Sequence, residues 1–140
     1  PPRPILIYGY GNPGRQDDGL GVALVEEIEA WATAEGIPGL VFDCNYQLNA
    51  EEALAVAESR KVVFVDAAKA GAAPFEFRPL APQNESVLAL AAELYDAHPP
   101  AWMLAIRGCG WEPAGPPTDA ARSNLAAARE FLQSWIRNER

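Results

Sequence analysis

Several residue types that chemistry commonly draws on are scarce in this chain. It holds one histidine, His98, and two cysteines, Cys44 and Cys109. Without His98 no Ser-His-Asp or Cys-His arrangement can be built, and no Cys/His metal cluster exists. His98 itself falls at the end of an expected helix, just before Pro99-Pro100, where the helix dipole favours a partly charged imidazole. Its loop belongs on the face of the sheet opposite the ligand crevice, so His98 reads as structural. The cysteines form no C-x-x-C and fall on different expected strands, which suits reduced thiols and a cytoplasmic location. Positive charge is also short: 11 Lys and Arg against 19 Asp and Glu leave a net charge of -8. That balance argues against nucleic acid or an anionic membrane as partner. No apolar run is long enough to cross a bilayer, and residues 1–4 lead straight into a strand with no signal-like segment.

What is present reads as one globular domain spanning residues 1–140, with 49% hydrophobic residues and enough length for a real core. Proline-rich stretches at 79–82 and 113–117 punctuate that domain without dividing it.

Ile5-Leu6-Ile7-Tyr8 is continuous and apolar, as buried parallel strands are. Over 20–35, Val22, Val25, Ile28 and Trp31 recur at helical spacing with glutamates between them, and Gly36 and Pro38 end that helix. Leu40-Val41-Phe42 is a second strand ending in Asp43-Cys44. Asn49 can cap a helix over 50–59, with Glu51 and Glu52 in its first turn. Val62-Val63-Phe64-Val65 is a third strand ending at Asp66, followed by a small-residue loop over 67–74. Phe75-Glu76-Phe77-Arg78 alternates apolar and charged residues, as a half-exposed edge strand does. A third helix is expected over 86–98 and a fifth strand over 102–106. Thr118 then caps a last helix whose apolar face is Leu125, Ala128, Leu132, Trp135 and Ile136.

The element order is β-α-β-α-β-β-α-β-α. It predicts an α/β three-layer sandwich: a mostly parallel, twisted five-stranded sheet, one antiparallel edge strand, and helices on both faces. In such sheets ligands bind beyond the carboxyl ends of the strands, where strand order reverses. With the first strand central, the loop after it and the end of the third strand meet there. Topology thus brings Asp18 and Asp66 to one crevice, with Asp43 on the same rim but farther out.

Two converging carboxylates suit either a hard or borderline cation or a proton-sharing acid/base pair. Each has a plainer alternative. Asp66 can cap a neighbouring loop, Asp18 can cap the first helix, and Asp17 reads as a solvated loop charge. Gly9, Gly11 and Gly14 also satisfy G-x-G-x-x-G literally. A dinucleotide site needs that third glycine inside the first helical turn, whereas Pro13-Gly14 and the charged run behind it delay the helix. The adjacent acids would also repel a pyrophosphate.

The loop Gly9-x-Gly11-Asn12-(x)5-Asp18-Gly19-x-Gly21 resembles the N-terminal signature of the nickel-iron hydrogenase maturation proteases. The resemblance continues through Asp43-x-x-Tyr46-Gln47-Leu48, Val63-Phe64-Val65-Asp66-Ala67-Ala68 and Ala105-Ile106-Arg107-Gly108, in order and over essentially the whole chain. It implies an endopeptidase that removes a C-terminal extension from the hydrogenase large-subunit precursor after nickel insertion. Asp18 and Asp66 would be its metal-binding and catalytic carboxylates. Gly9, Gly11, Asn12 and Asp43 would shape the substrate cleft. The metal would be the nickel of the substrate or a divalent ion at the site, able to polarise the scissile carbonyl or activate a water. A monomer is the expectation for such a transient processing enzyme.

The resemblance breaks at the family's third ligand, a histidine before the third helix. Residues 79–85, Pro-Leu-Ala-Pro-Gln-Asn-Glu, contain none. Asn84 or Glu85 would supply oxygen there, and a carboxylate-only site shifts preference from nickel towards harder ions. Two further readings stay open: a non-catalytic binding or chaperone protein that recognises the nickel-loaded subunit, and a nucleotide-binding Rossmann-like domain.

Overall fold

A computed structural model of the chain describes residues 3–45 and 52–139. Strands β1 (Ile5–Tyr10), β2 (Leu40–Asn45), β3 (Lys61–Ala68), β4 (Phe75–Leu80) and β5 (Ala101–Arg107) form one sheet in the order β2-β1-β3-β5-β4. All neighbours are parallel except β4, which runs antiparallel to β5 at one edge. The helices are α1 (Leu20–Glu35), α2 (Glu52–Ala57), α3 (Ser86–Tyr95) and α4 (Asp119–Glu139). The expected architecture is the observed one. Asn49 and Glu51, assigned above to the start of α2, lie outside the described residues, as do Tyr46, Gln47 and Leu48.

Period-two alternation splits the buried strands between two cores. Ile5, Ile7, Val63, Val65, Leu104 and Ile106 face α1 and α4, where Leu24, Ile28, Leu132 and Ile136 complete one cluster. Leu6, Tyr8, Val62, Phe64 and Met103 face α2 and α3, meeting Val56, Val87 and Leu88 in the other. That is the sandwich, and it explains why β1 and β3 carry unbroken apolar runs. The edge strand β4 alternates instead. Its Phe75 and Phe77 pack against Phe131 and Trp135 of α4, with Phe77 stacked on Trp102 at 6.0 Å. Among the described residues no helix is long and apolar enough to cross a membrane.

Several details differ from the sequence reading. On α1 the buried stripe is Leu20, Gly21, Leu24, Val25, Ile28 and Ala32, so Val22 and Trp31 lie at its margins. The third helix stops at Tyr95 and not at residue 98, because Asp96 adopts a left-handed φ of 50° and its N–H and that of Ala97 close back on Ala92 and Ala91. His98 is therefore outside the helix, next to Asp96, on the loop leading into the N-terminal end of β5. Strand β3 extends to Ala68, because Asp66, Ala67 and Ala68 keep pairing with β5. Cys109 lies beyond β5 and not on it, and both cysteines are free thiols.

Candidate functional site

The order β2-β1-β3 makes β1 the strand from which the chain departs in one direction and returns in the other. The loop after β1 and the end of β3 therefore face each other across a switch point. The loop is built from short-range bonds. Asn12 Oδ1 accepts the Gly14 N–H at 2.9 Å, and Asn12 O accepts the Arg15 N–H at 3.0 Å, folding Pro13-Gly14 into a turn. A single 3-10 turn, Gln16–Gly19, then leads into α1. The Asp18 carboxylate does not cap that helix. Its Oδ2 accepts the Asn12 N–H at 2.9 Å, tying the two ends of the loop together.

Gly11 lies between the Asp18 backbone and the Asp66 carboxylate. Its φ is +132°, and a Cβ there would fall 2.1 Å from the Asp18 backbone oxygen and 3.6 Å from Asp66 Oδ1. Only glycine fits. The helix itself approaches through Gly21, where a Cβ would meet Val65 O at 2.5 Å and Tyr10 O at 2.7 Å. The close helix–strand contact that a dinucleotide fingerprint assigns to its third glycine is thus made by Gly21 inside α1, while Gly14 stays out in the turn. The literal G-x-G-x-x-G does not form a pyrophosphate cradle here.

Asp66 opens onto a cleft of about 360 Å³ lined by Tyr10, Glu76, Arg78, Asn84 and Glu85, among others. The register explains the opening. Asp66 pairs with Ala105 of β5, which pairs in turn with Glu76 of β4, so a methyl group stands between two acids on the floor. The sequence reading mentioned Asn84 and Glu85 only as substitutes for a histidine, and both do line this cleft. Glu85 also caps α3, accepting the Val87 N–H at 3.5 Å.

Burial lifts the Asp66 carboxyl to about 7, and the nearby Asp18 charge pushes the same way, against a 2.8 Å hydrogen bond from the Ala67 N–H. The Tyr10 phenol is also raised, by burial and then by Asp66 and Glu85, with Arg78 opposing. The cleft is therefore a place where negative charge is costly. An arriving cation would relieve it.

Asp43 sits elsewhere. Strand β2 runs past it to Asn45, so Asp43 pairs with Tyr8, two residues short of the rim, and is exposed with its carboxylate on the Cys44 N–H. The rim position belongs to Asn45, whose carbonyl accepts the Gly11 N–H at 3.1 Å. Gly9 lies within β1 beneath the loop, and Asn12 holds its corner. Arg107 braces the far side by donating to Gly71 O at 2.7 Å.

The largest departure from the sequence reading is Asp17. Expected as a solvated charge, it is 0% exposed, and its carboxylate accepts four hydrogen bonds. Cys109 N–H and Gly110 N–H reach Oδ2 at 2.7 Å each, Thr118 N–H reaches Oδ1 at 2.8 Å, and Thr118 Oγ1 donates to Oδ2 at 2.8 Å. Burial opposes the anion, yet these bonds more than offset it and leave the carboxyl below its usual range. No local pattern announces this, because the donors lie about a hundred residues downstream.

Among the described residues no three His, Cys, Asp or Glu side chains group closely enough to hold a metal ion. The donor set does not fit a resident metal held by the protein alone.

No protein-family model and no curated protein matches the sequence. Solved structures do match the fold. The hydrogenase maturating endopeptidase HybD from E. coli superposes with a TM-score of 0.79 at 18% identity, covering 97% of this chain and 93% of that one. The [NiFe] hydrogenase maturation protease HycI from Thermococcus kodakarensis KOD1 gives 0.75 at 18% identity, with 96% and 93% covered. A hydrogenase 2 maturation peptidase from a Thaumarchaeota archaeon gives 0.73 at 15% identity, with 96% and 98% covered. The family that four short motifs resemble shares this fold: over nearly its whole length this chain is built like the solved hydrogenase maturation proteases.

Proposed function

We propose that this protein is an endopeptidase that removes the C-terminal extension of a nickel-iron hydrogenase large-subunit precursor once nickel is in place. The observation that carries the reading is the approach of the Asp18 segment to the Asp66 carboxylate across Gly11, close enough for the Asp18 charge to act on Asp66, at the switch point of a fold shared with such proteases.

The nickel is part of the substrate in this account. A loaded client presents a cation whose remaining positions accept oxygen, and the Asp18 and Asp66 carboxylates offer it. An empty client presents no cation and leaves the two acids in mutual repulsion. Recognition of loading is then an electrostatic difference between two clients of the same shape. Asp66 Oδ1 is held by the Ala67 N–H, which fixes the carboxylate and leaves its second oxygen for the client. Before a client docks, burial and the Asp18 charge hold the Asp66 carboxyl up at about 7, and an arriving cation would favour its ionised, ligating form.

The test uses purified precursor and mass spectrometry. Wild type should shorten the nickel-loaded precursor, and Asp18→Asn and Asp66→Asn should each slow that cleavage by about 100-fold or more, the scale of a lost electrostatic contact at the reacting centre. Full processing by Asp66→Asn would sink the proposal.

One observation favours a second reading, a protein that binds the loaded client without cutting it. Residues 79–85 hold no histidine, and His98 lies at the opposite end of the sheet. Nickel-dependent capture of the precursor with no loss of mass would select that reading.

A further inference from the structure

We propose that Asp17 is a positioning residue: through the 3-10 turn it shares with Asp18, it locks the Asp18 carboxylate to the segment after β5 and to the N-terminus of α4. The catalytic meaning of this inference rests on the proposed function, but its geometry does not.

A buried anion needs a reason, because an apolar residue of similar size is commonly as good for stability. Nothing about the fold of β1 or α1 requires one at this position. The attachment is also double. The Asp17 N–H donates to Gly110 O at 3.1 Å while its side chain accepts the Cys109 and Gly110 N–H groups, so backbone and carboxylate hold one short segment from both sides. Beside it, Gln16 takes a φ of 40°, unusual for a residue with a side chain, and its Oε1 accepts the Glu112 N–H at 2.8 Å. The loop is held in a conformation it would not choose alone.

Thr118 extends the linkage. Its hydroxyl donates to Asp17 Oδ2 and accepts the Ala121 N–H at 3.2 Å, so a single group serves the clamp and caps α4. Downstream of Asp17, one peptide link leads to Asp18, whose own carboxylate is pinned on the Asn12 N–H. Neighbouring carboxylates thus do opposite things: Asp17 faces inward to an anchor on the other half of the chain, and Asp18 faces the loop beside Gly11. Displacing a reacting group by about 1 Å is enough to cost about 100-fold in rate.

The experiment follows the full-length 15N-labelled protein by NMR and, in parallel, its cleavage of nickel-loaded precursor. The Asn12 amide reports Asp18 directly and touches neither Asp17 nor Thr118. In Asp17→Asn the Asn12 amide should exchange with solvent at least about 10-fold faster. The kcat on precursor should fall by about 10- to 100-fold with KM unchanged. Thr118→Val, which keeps the backbone donor and removes the hydroxyl, should show the same pattern more weakly, and Thr118→Ser should restore both readouts. Should Asp17→Asn not fold, the Thr118 pair carries the test. An Asn12 amide as protected in these variants as in wild type would overturn the inference, whatever happens to stability. Absence of cleavage by wild type would overturn the proposed function instead, and the amide readout would still decide this one.

Discussion

Asp17 and Asp66 are two carboxylates at the same end of the sheet with opposite surroundings. Asp17 is fully buried and accepts four hydrogen bonds, and its pKa falls. Asp66 is less buried, accepts one from Ala67, faces the Asp18 charge, and rises to about 7. Burial pushes both carboxyls up, and four donors reverse that push at Asp17 whereas the single Ala67 N–H does not at Asp66. The fully bonded acid ties the first loop to the segment after β5 and to α4, while the less bonded one opens onto the cleft.

The sharpest way to break this contrast is to exchange the readouts. Asp66→Asn should lose cleavage by about 100-fold or more while folding normally, since a lost electrostatic contact at the reacting centre costs on that scale. Asp17→Ala leaves several buried donors without a partner and should lower unfolding stability by about 3 kcal/mol in a urea titration. If Asp66→Asn unfolded the protein and Asp17→Ala did not, the roles would be reversed.

A step smaller is Gly21→Ala. The added methyl would press on Val65 O and Tyr10 O, lifting α1 from the sheet beneath the Asp18 loop, at a cost of about 2 kcal/mol by thermal or chemical denaturation. Gly36→Ala meets no atom within 4 Å and loses only the comfort of its φ of +66°, so it should cost about 1 kcal/mol.

The two acids also predict opposite pH responses. Asp66 binds its proton more tightly folded than unfolded, so its share of stability falls as pH rises from about 4 through about 7. Asp17 binds its proton less tightly folded, so its share is present above the unfolded value of about 3.9 and is lost as pH falls through the folded one. Stability curves of wild type and Asp66→Asn should accordingly diverge between pH 4 and 7, with the variant relatively more stable at the upper end. The smallest effect belongs to His98→Ala: exposed and outside the lining of the Asp66 cleft, it should change stability by less than about 0.5 kcal/mol and leave cleavage intact.

How much of this was legible in the sequence follows from the range of each interaction. The strands and helices were readable because periodicity is local; α1 begins at Leu20 as the pattern said. That the loop carrying Asp18 comes up beside the end of β3 was readable, because it follows from strand order, which element alternation nearly dictates. Asp17 was not. Beside Asp18 in an apparently solvated charged run, it differs only in pointing at Cys109, Gly110 and Thr118, and three backbone amides leave no side-chain signature in a sequence. The early stop of α3 at Asp96 was masked by the louder Pro99-Pro100 signal. Asp43 looked like a rim residue until the strand was seen to run on to Asn45.

The most direct test of the central claim compares one enzyme with two clients. Wild-type protein is incubated with nickel-loaded and with nickel-free large-subunit precursor, and the mass of each is followed over time. The account predicts loss of the C-terminal extension from the loaded precursor alone. Equal cleavage of both, or of neither, would contradict it.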